Sequence, residues 1–152
     1  MPHSFCVLLG EPNPLLAEKS AGIAARHEQV WCVVQVLTTS GLERAASALQ
    51  PELILSDLAL LQPGRMMQTL RTASPRTRVV ALVESLTDPY VSAVRRLGVD
   101  HVVEKQALPE VLGAELRRLA LLTADDDDGT PARGAPADAG GDVLAARPAH
   151  GA

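Results

Sequence analysis

The chain has 152 residues, 47% hydrophobic and 21% charged, with 11 Gly, 11 Pro and one each of Phe, Trp and Tyr. That balance fits one globular domain with an extension, and it excludes a collagen, a coiled coil or a disulfide scaffold. The net charge of -4 divides unevenly, because residues 1–122 carry 12 acids and 12 bases while residues 123–152 carry six Asp and two Arg; a neutral ordered part has no basic face for nucleic acid or an anionic membrane, and neither is expected as a partner.

The start, Met1-Pro2-His3-Ser4, lacks the basic region of a secretory signal, and the apolar Phe5–Leu9 that follows is too short for its core. The longest uncharged apolar stretch, Val30–Leu37, falls well short of the roughly 20 residues of a membrane span. The chain therefore reads as cytoplasmic. Cys6 and Cys32 lie inside apolar runs and read as small buried hydrophobes rather than a disulfide or a redox pair. His3, His27, His101 and His150 have no ligand spacing with either cysteine, so no zinc or haem site is expected.

Five short apolar runs follow one another: Cys6–Leu9, Val30–Leu37, Leu53–Leu55, Val79–Val83 and Val102–Val103. Mostly continuous runs of this length mark strands covered on both faces, not a half-exposed hairpin sheet. Helix signals stand between them. Asn13 can cap a helix with Pro14 at its first position, Ser40-Gly41-Leu42-Glu43 reads as a capping box, and Asp88-Pro89 repeats the cap-plus-proline pattern. Pro51, Pro75 and Gly98 supply the stops of the second, third and fourth helices. A last helix, about Leu108–Leu122, places Leu112, Leu116 and Leu119 on one face, with Arg117 and Arg118 near its negative end.

Five such βα units predict an α/β fold, a doubly wound parallel sheet of the flavodoxin-like kind, with expected strand order 2-1-3-4-5 over residues 1–122. Residues 123–152 are almost entirely Ala, Asp, Gly, Pro and Arg, include the run Asp125–Asp128, and are expected to form an acidic tail without regular structure. The tail reads as solubilising, or as an acidic contact for a basic partner.

Chemistry in an open parallel sheet sits beyond the carboxyl ends of its strands. The residues there are Gly10-Glu11-Pro12-Asn13, Ser56-Asp57, Val83-Glu84-Ser85 and Glu104-Lys105. An Asp ending a buried strand is costly unless it is neutralised, and Lys105 is the natural partner for Asp57. A plain buried ion pair is the simplest account of the two. A carboxylate can accept a phosphoryl group only where a divalent cation and an amine offset the charge gathering on the equatorial oxygens.

Val7-Leu8-Leu9-Gly10-Glu11, Pro51 through Leu58, and Gly98-Val99-Asp100 through Lys105 make the stretch 5–122 resemble the receiver domain of bacterial two-component response regulators. The resemblance implies that Asp57 is a phospho-acceptor served by a histidine kinase or phosphotransfer protein. It implies that Lys105 pairs with the phosphoryl oxygens, and that Glu11, Asp57 and the backbone carbonyl of Ala59 hold Mg2+. Enzymatic activity would not extend beyond self-phosphorylation and dephosphorylation at Asp57.

The sequence departs from that family at several of its working positions. Pro12 stands where a second acid binds the metal, so Mg2+ binding is expected to be weak. Val83 replaces the switch hydroxyl, Glu84 replaces a small residue, and Val102 replaces the mobile aromatic. Leu61 stands where a proline is common, with Pro63-Gly64 beyond it. These changes suggest an atypical receiver whose phosphorylation is weak or unused, with Glu84 pairing with Lys105.

After Leu122 the sequence shows no second globular pattern, so output is expected through contacts with another protein, and a homodimer is left open. The expected contact face is that of the fourth helix, fifth strand and fifth helix, with Tyr90, Arg95, Arg96 and Glu104 as candidate residues or simply as solvated surface. Two further readings stand beside the phosphorelay protein: a phosphorylation-independent interaction module, and a small-molecule-binding flavodoxin-like protein. Against the last, the turn Gly10-Glu11-Pro12-Asn13-Pro14 is neither a P-loop nor a dinucleotide fingerprint.

Overall fold

A computed structural model describes residues 4–62, 64–125 and 143–148. The elements run β1 (Phe5–Gly10), α1 (Pro14–Ala25), β2 (Val30–Val36), α2 (Thr39–Leu49), β3 (Leu53–Asp57), α3 (Leu58–Leu61), α4 (Met66–Ala73), β4 (Arg78–Val83), α5 (Tyr90–Arg96), β5 (His101–Glu104), α6 (Leu108–Asp125) and β6 (Val143–Pro148). β1 to β5 form an all-parallel sheet in the order 2-1-3-4-5.

Each continuous apolar run serves two cores, because successive strand residues point to opposite faces. Leu8, Ile54, Val79, Ala81 and Val83 pack under Leu42, Ala45, Ala46 and Leu49 of α2, Met66, Met67 and Leu70 of α4, and Val91 and Val94 of α5. Val7, Leu9, Leu53, Leu55, Val80 and Leu82 pack on the other face, against Ala21 and Ala24 of α1 and the buried stripe Leu112, Leu116 and Leu119 of α6.

Asn13 caps α1 through its side chain, which accepts from the backbone of Leu15 and Leu16, with Pro14 in the first position. Asp88 Oδ1 accepts from Tyr90 N at 2.8 Å as α5 begins. The capping box at Ser40 is not what starts α2. Thr38 does, taking Gly41 N–H on its side chain at 3.0 Å and leaving Ser40 inside the first turn. The third helical segment comes in two pieces, α3 and α4, separated by the turn-forming sequence Pro63-Gly64.

The tail differs from its expectation at two places. α6 continues to Asp125, and Val143–Pro148 pairs antiparallel with β2 in the register Cys32↔Pro148 through Val36↔Val143. An edge strand offers a row of N–H and C=O groups that an extended segment can meet with its backbone alone, without an apolar signature of its own. Residues 126–142 and 149–152 of that acidic segment lie outside the described residues.

Two local features position the strand ends. Gly10 pairs with Ser56, and a Cβ on Gly10 would come within 2.6 Å of Ser56 Oγ, so the lack of a side chain lets the ends of β1 and β3 lie close. At the opposite end of the sheet, buried Glu115 on α6 receives Arg78 Nε of β4 and meets His101 Nδ1 of β5. Burial disfavours the Glu115 carboxylate, but the Arg78 and His101 contacts prevail and hold its pKa below the ordinary value. A depressed carboxyl pKa adds stability above the unfolded value of about 4.3, and that stability is lost as pH falls through the folded value.

Glu115→Gln leaves the Arg78 charge in the interior without its anion. It is expected to cost roughly 2–3 kcal/mol near neutral pH and to flatten the acid limb of the stability curve. Urea unfolding followed over an acid-to-neutral pH series measures both.

Candidate functional site: a lysine between two carboxylates

Four strands deliver charged residues to the carboxyl edge of the sheet: Glu11 just after β1, Asp57 as the last residue of β3, Glu84 just after β4, and Glu104 at the end of β5 with Lys105 just after it. Glu11 N–H donates to Val36 O at 3.0 Å, which extends the β1–β2 pairing by one step and fixes where its side chain departs. Asp57 doubles as the cap of α3, its Oδ1 accepting from Ala59 N–H at 2.6 Å. Lys105 opens a short 3-10 turn, Lys105–Ala107, that leads into α6.

Lys105 Nζ lies 2.5 Å from Glu11 Oε1, 2.5 Å from Asp57 Oδ2 and 3.4 Å from Glu84 Oε1. The side chains of Glu11 and Asp57 are 5% and 16% exposed, whereas that of Glu84 is 79% exposed. Lys105 is therefore a near-buried bridge between two carboxylates, with Glu84 an outer, water-screened neighbour. Burial works against the ammonium, yet hydrogen bonds and attraction from Asp57 and Glu11 outweigh it and raise the lysine pKa above its ordinary value. Glu11 Oε2 also accepts from Asn13 N–H at 3.1 Å, so both of its oxygens are engaged.

The sequence-predicted residues thus converge: Asp57, Lys105 and Glu11 touch, and Glu84 reaches the same ammonium. Val83 and Val102 are buried in the apolar layer under α2, α4 and α5, so these positions carry packing and no hydroxyl or ring. Two contacts were beyond sequence reasoning, the Asn13 and Ala59 backbone amides that steer Glu11 and Asp57. They depend on turn geometry after the strands, which residue identity does not report.

The donor set is a poor match for the Mg2+ that the resemblance implies. Pro12 offers no side-chain ligand, both carboxylates give an oxygen to Lys105, and the contact seen at Ala59 uses its N–H. Among the described residues no group of three or more His, Cys, Asp or Glu is arranged to hold a metal ion. As folded, the site does not fit a resident divalent cation, since the ammonium lies between the oxygens a cation would need.

The arrangement is that of a doubly wound α/β domain with a charged cluster at the carboxyl edge of five parallel strands. Solved structures narrow it to one fold. The receiver domain of RcsB from Salmonella enterica serovar Typhimurium, solved in the presence of the phosphomimetic BeF3-, is 18% identical over 76% of this chain and 90% of that one, with a TM-score of 0.64. The receiver domain of AraT, a response regulator from Geobacillus stearothermophilus, is 14% identical over 82% and 98%, also at 0.64. The N-terminal domain of an uncharacterized protein from Wolinella succinogenes is 17% identical over 81% and 98%, at 0.65. No family model and no curated protein matches the sequence. The chain has the fold of response-regulator receiver domains, and no helix among the described residues is long and apolar enough to cross a membrane.

Lys105→Met removes the ammonium between two near-buried carboxylates. Stability near neutral pH is expected to fall by roughly 2–3 kcal/mol. Part of it should return on acidification, because protonating one carboxylate relieves the repulsion between the two. Chemical denaturation at neutral and mildly acid pH reads out both effects.

Proposed function

We propose that this chain is an atypical receiver protein that signals through protein contacts, with Asp57 as the acceptor of a phosphoryl group from a histidine kinase or phosphotransfer protein. The observation that carries the reading is the 2.5 Å contact of Lys105 Nζ with Asp57 Oδ2 at the carboxyl end of β3, in a receiver fold. In the transfer, an Asp57 oxygen bonds to phosphorus as the bond to the donor imidazole nitrogen breaks, and the released imidazole takes up a proton. Lys105 faces the incoming oxygens and offsets part of their charge.

The same geometry makes the transfer slow. Three carboxylates face one ammonium, so a phosphoryl dianion approaches an edge of negative excess. Mg2+ is not resident in this reading, since it would have to displace Lys105 from Glu11 and Asp57. Output runs through the face of α5, β5 and α6, where Tyr90 is exposed, toward a downstream protein or a second copy of the chain. The site acts in the cytoplasm and performs no chemistry beyond its own phosphorylation and dephosphorylation.

A second reading, an interaction module that works without phosphorylation, is favoured by one observation. Lys105 is already held by Glu11 and Asp57, and position 83 buries a valine where a switch hydroxyl would follow a phosphoryl group. The two readings part on a single experiment: the protein is incubated with a small phosphodonor and Mg2+, and its intact mass is measured with Asp57→Ala as control. An Asp57-dependent gain of one phosphoryl mass supports the acceptor, and no gain supports the module. Glu84→Ala is expected to speed that gain by up to about fivefold, the scale of one exposed charge contact.

A further inference from the structure

Cys6 and Cys32 are far apart in sequence but directly opposed in the sheet, as Cα partners of the parallel pair β1–β2. Cys6 stands two residues before Leu8 and Cys32 two before Val34, and Cys32, Leu8 and Val34 all belong to the apolar layer under α2, so the strand period puts both sulfurs on that one face. Neighbouring strands lie about 4.8 Å apart, inside the roughly 4.4–6.8 Å Cα separation at which a disulfide closes. The Cys6 side chain is a hydrogen-bond neighbour of Cys32.

Their setting is local and ordered. The register shifts between Phe5 and Cys6, and the Cys6 N–H donates to Glu52 Oε1 at 2.6 Å, which anchors the backbone carrying the first thiol. Both residues are near the amino ends of their strands, 3% and 5% exposed, so a small oxidant suits the site better than a bulky one.

We propose that Cys6 and Cys32 form a dithiol site at which a peroxide makes an intramolecular disulfide. The Cys32 thiolate attacks one peroxide oxygen, the O–O bond breaks, and the leaving hydroxide takes a proton to become water. Cys32 is then a sulfenic acid. The Cys6 sulfur attacks the Cys32 sulfur, the S–O bond breaks, and the departing hydroxide leaves as a second water with the Cys6 proton. One peroxide and two thiols thus give one disulfide and two waters.

Cys32 is assigned the first attack, because its hydrogen bond with Cys6 outweighs burial and lowers its pKa to about 7, toward the attacking thiolate. The cross-link would tie β1 to β2 at the amino end of the sheet, away from Glu11, Asp57 and Lys105 at the carboxyl end.

The test treats the full chain with hydrogen peroxide, unfolds it in the presence of an alkylating reagent, and measures its intact mass and its proteolytic peptides. The expected result is a monomer lighter by two hydrogens, unalkylated, with a peptide pair joining Cys6 to Cys32, all reversed by dithiothreitol. Alkylation of both cysteines after peroxide, oxygen left on either sulfur of the wild-type chain, or disulfide-linked dimers would overturn the proposal. Cys6→Ala separates the roles: a sulfenic-acid probe should label Cys32 in that variant, and absence of label in the folded variant contradicts the assignment of the first attack to Cys32.

Discussion

A near-buried ammonium held at 2.5 Å by two carboxylates from different strands is the contact on which the carboxyl edge of this sheet depends. Parallel strands end with their backbone carbonyls and their following side chains at one rim, and this sequence places four acids there, three of them around Lys105. Glu11 and Asp57 are too enclosed for water to screen them fully, so without a cation their repulsion would push β1 and β3 apart. Lys105 joins them from β5, across β4, and so ties the sheet's central strands to its edge. The contact holds the ends of β1, β3 and β5 at one rim.

The departures from the receiver pattern share one physical direction. A proline instead of a second metal-binding acid, a valine instead of a hydroxyl, and an added glutamate each remove something a phosphoryl group would need or add something it would avoid. The structure gives these positions other duties. Val83 and Val102 fill the apolar layer, and Glu84 stands outside the bridge at 3.4 Å as a screened counter-charge. With three carboxylates around one ammonium, the rim keeps a negative excess.

Much of the fold was legible because its signals are local or periodic. The apolar runs gave the strands, Asn13-Pro14 and Asp88-Pro89 marked helix starts, and the leucine stripe gave the buried face of α6. The capping box at Ser40 misled because Thr38, two residues earlier, offers an equally good acceptor and wins by its place in the turn. β6 was illegible, since its pairing with β2 rests on backbone groups that every sequence has. The site was legible as residue types at strand ends; the Asn13 and Ala59 amides and the opposition of Cys6 to Cys32 were not, because they follow from turn geometry and strand register.

The account turns on the charge state and partners of one amine, so an NMR titration of the Lys105 side chain tests it most directly. The account predicts that this ammonium holds its proton past the ordinary lysine range near 10.4 and that its resonance moves when either Glu11 or Asp57 is neutralised by mutation. Titration at the value of a solvated lysine, indifferent to both acids, would contradict it.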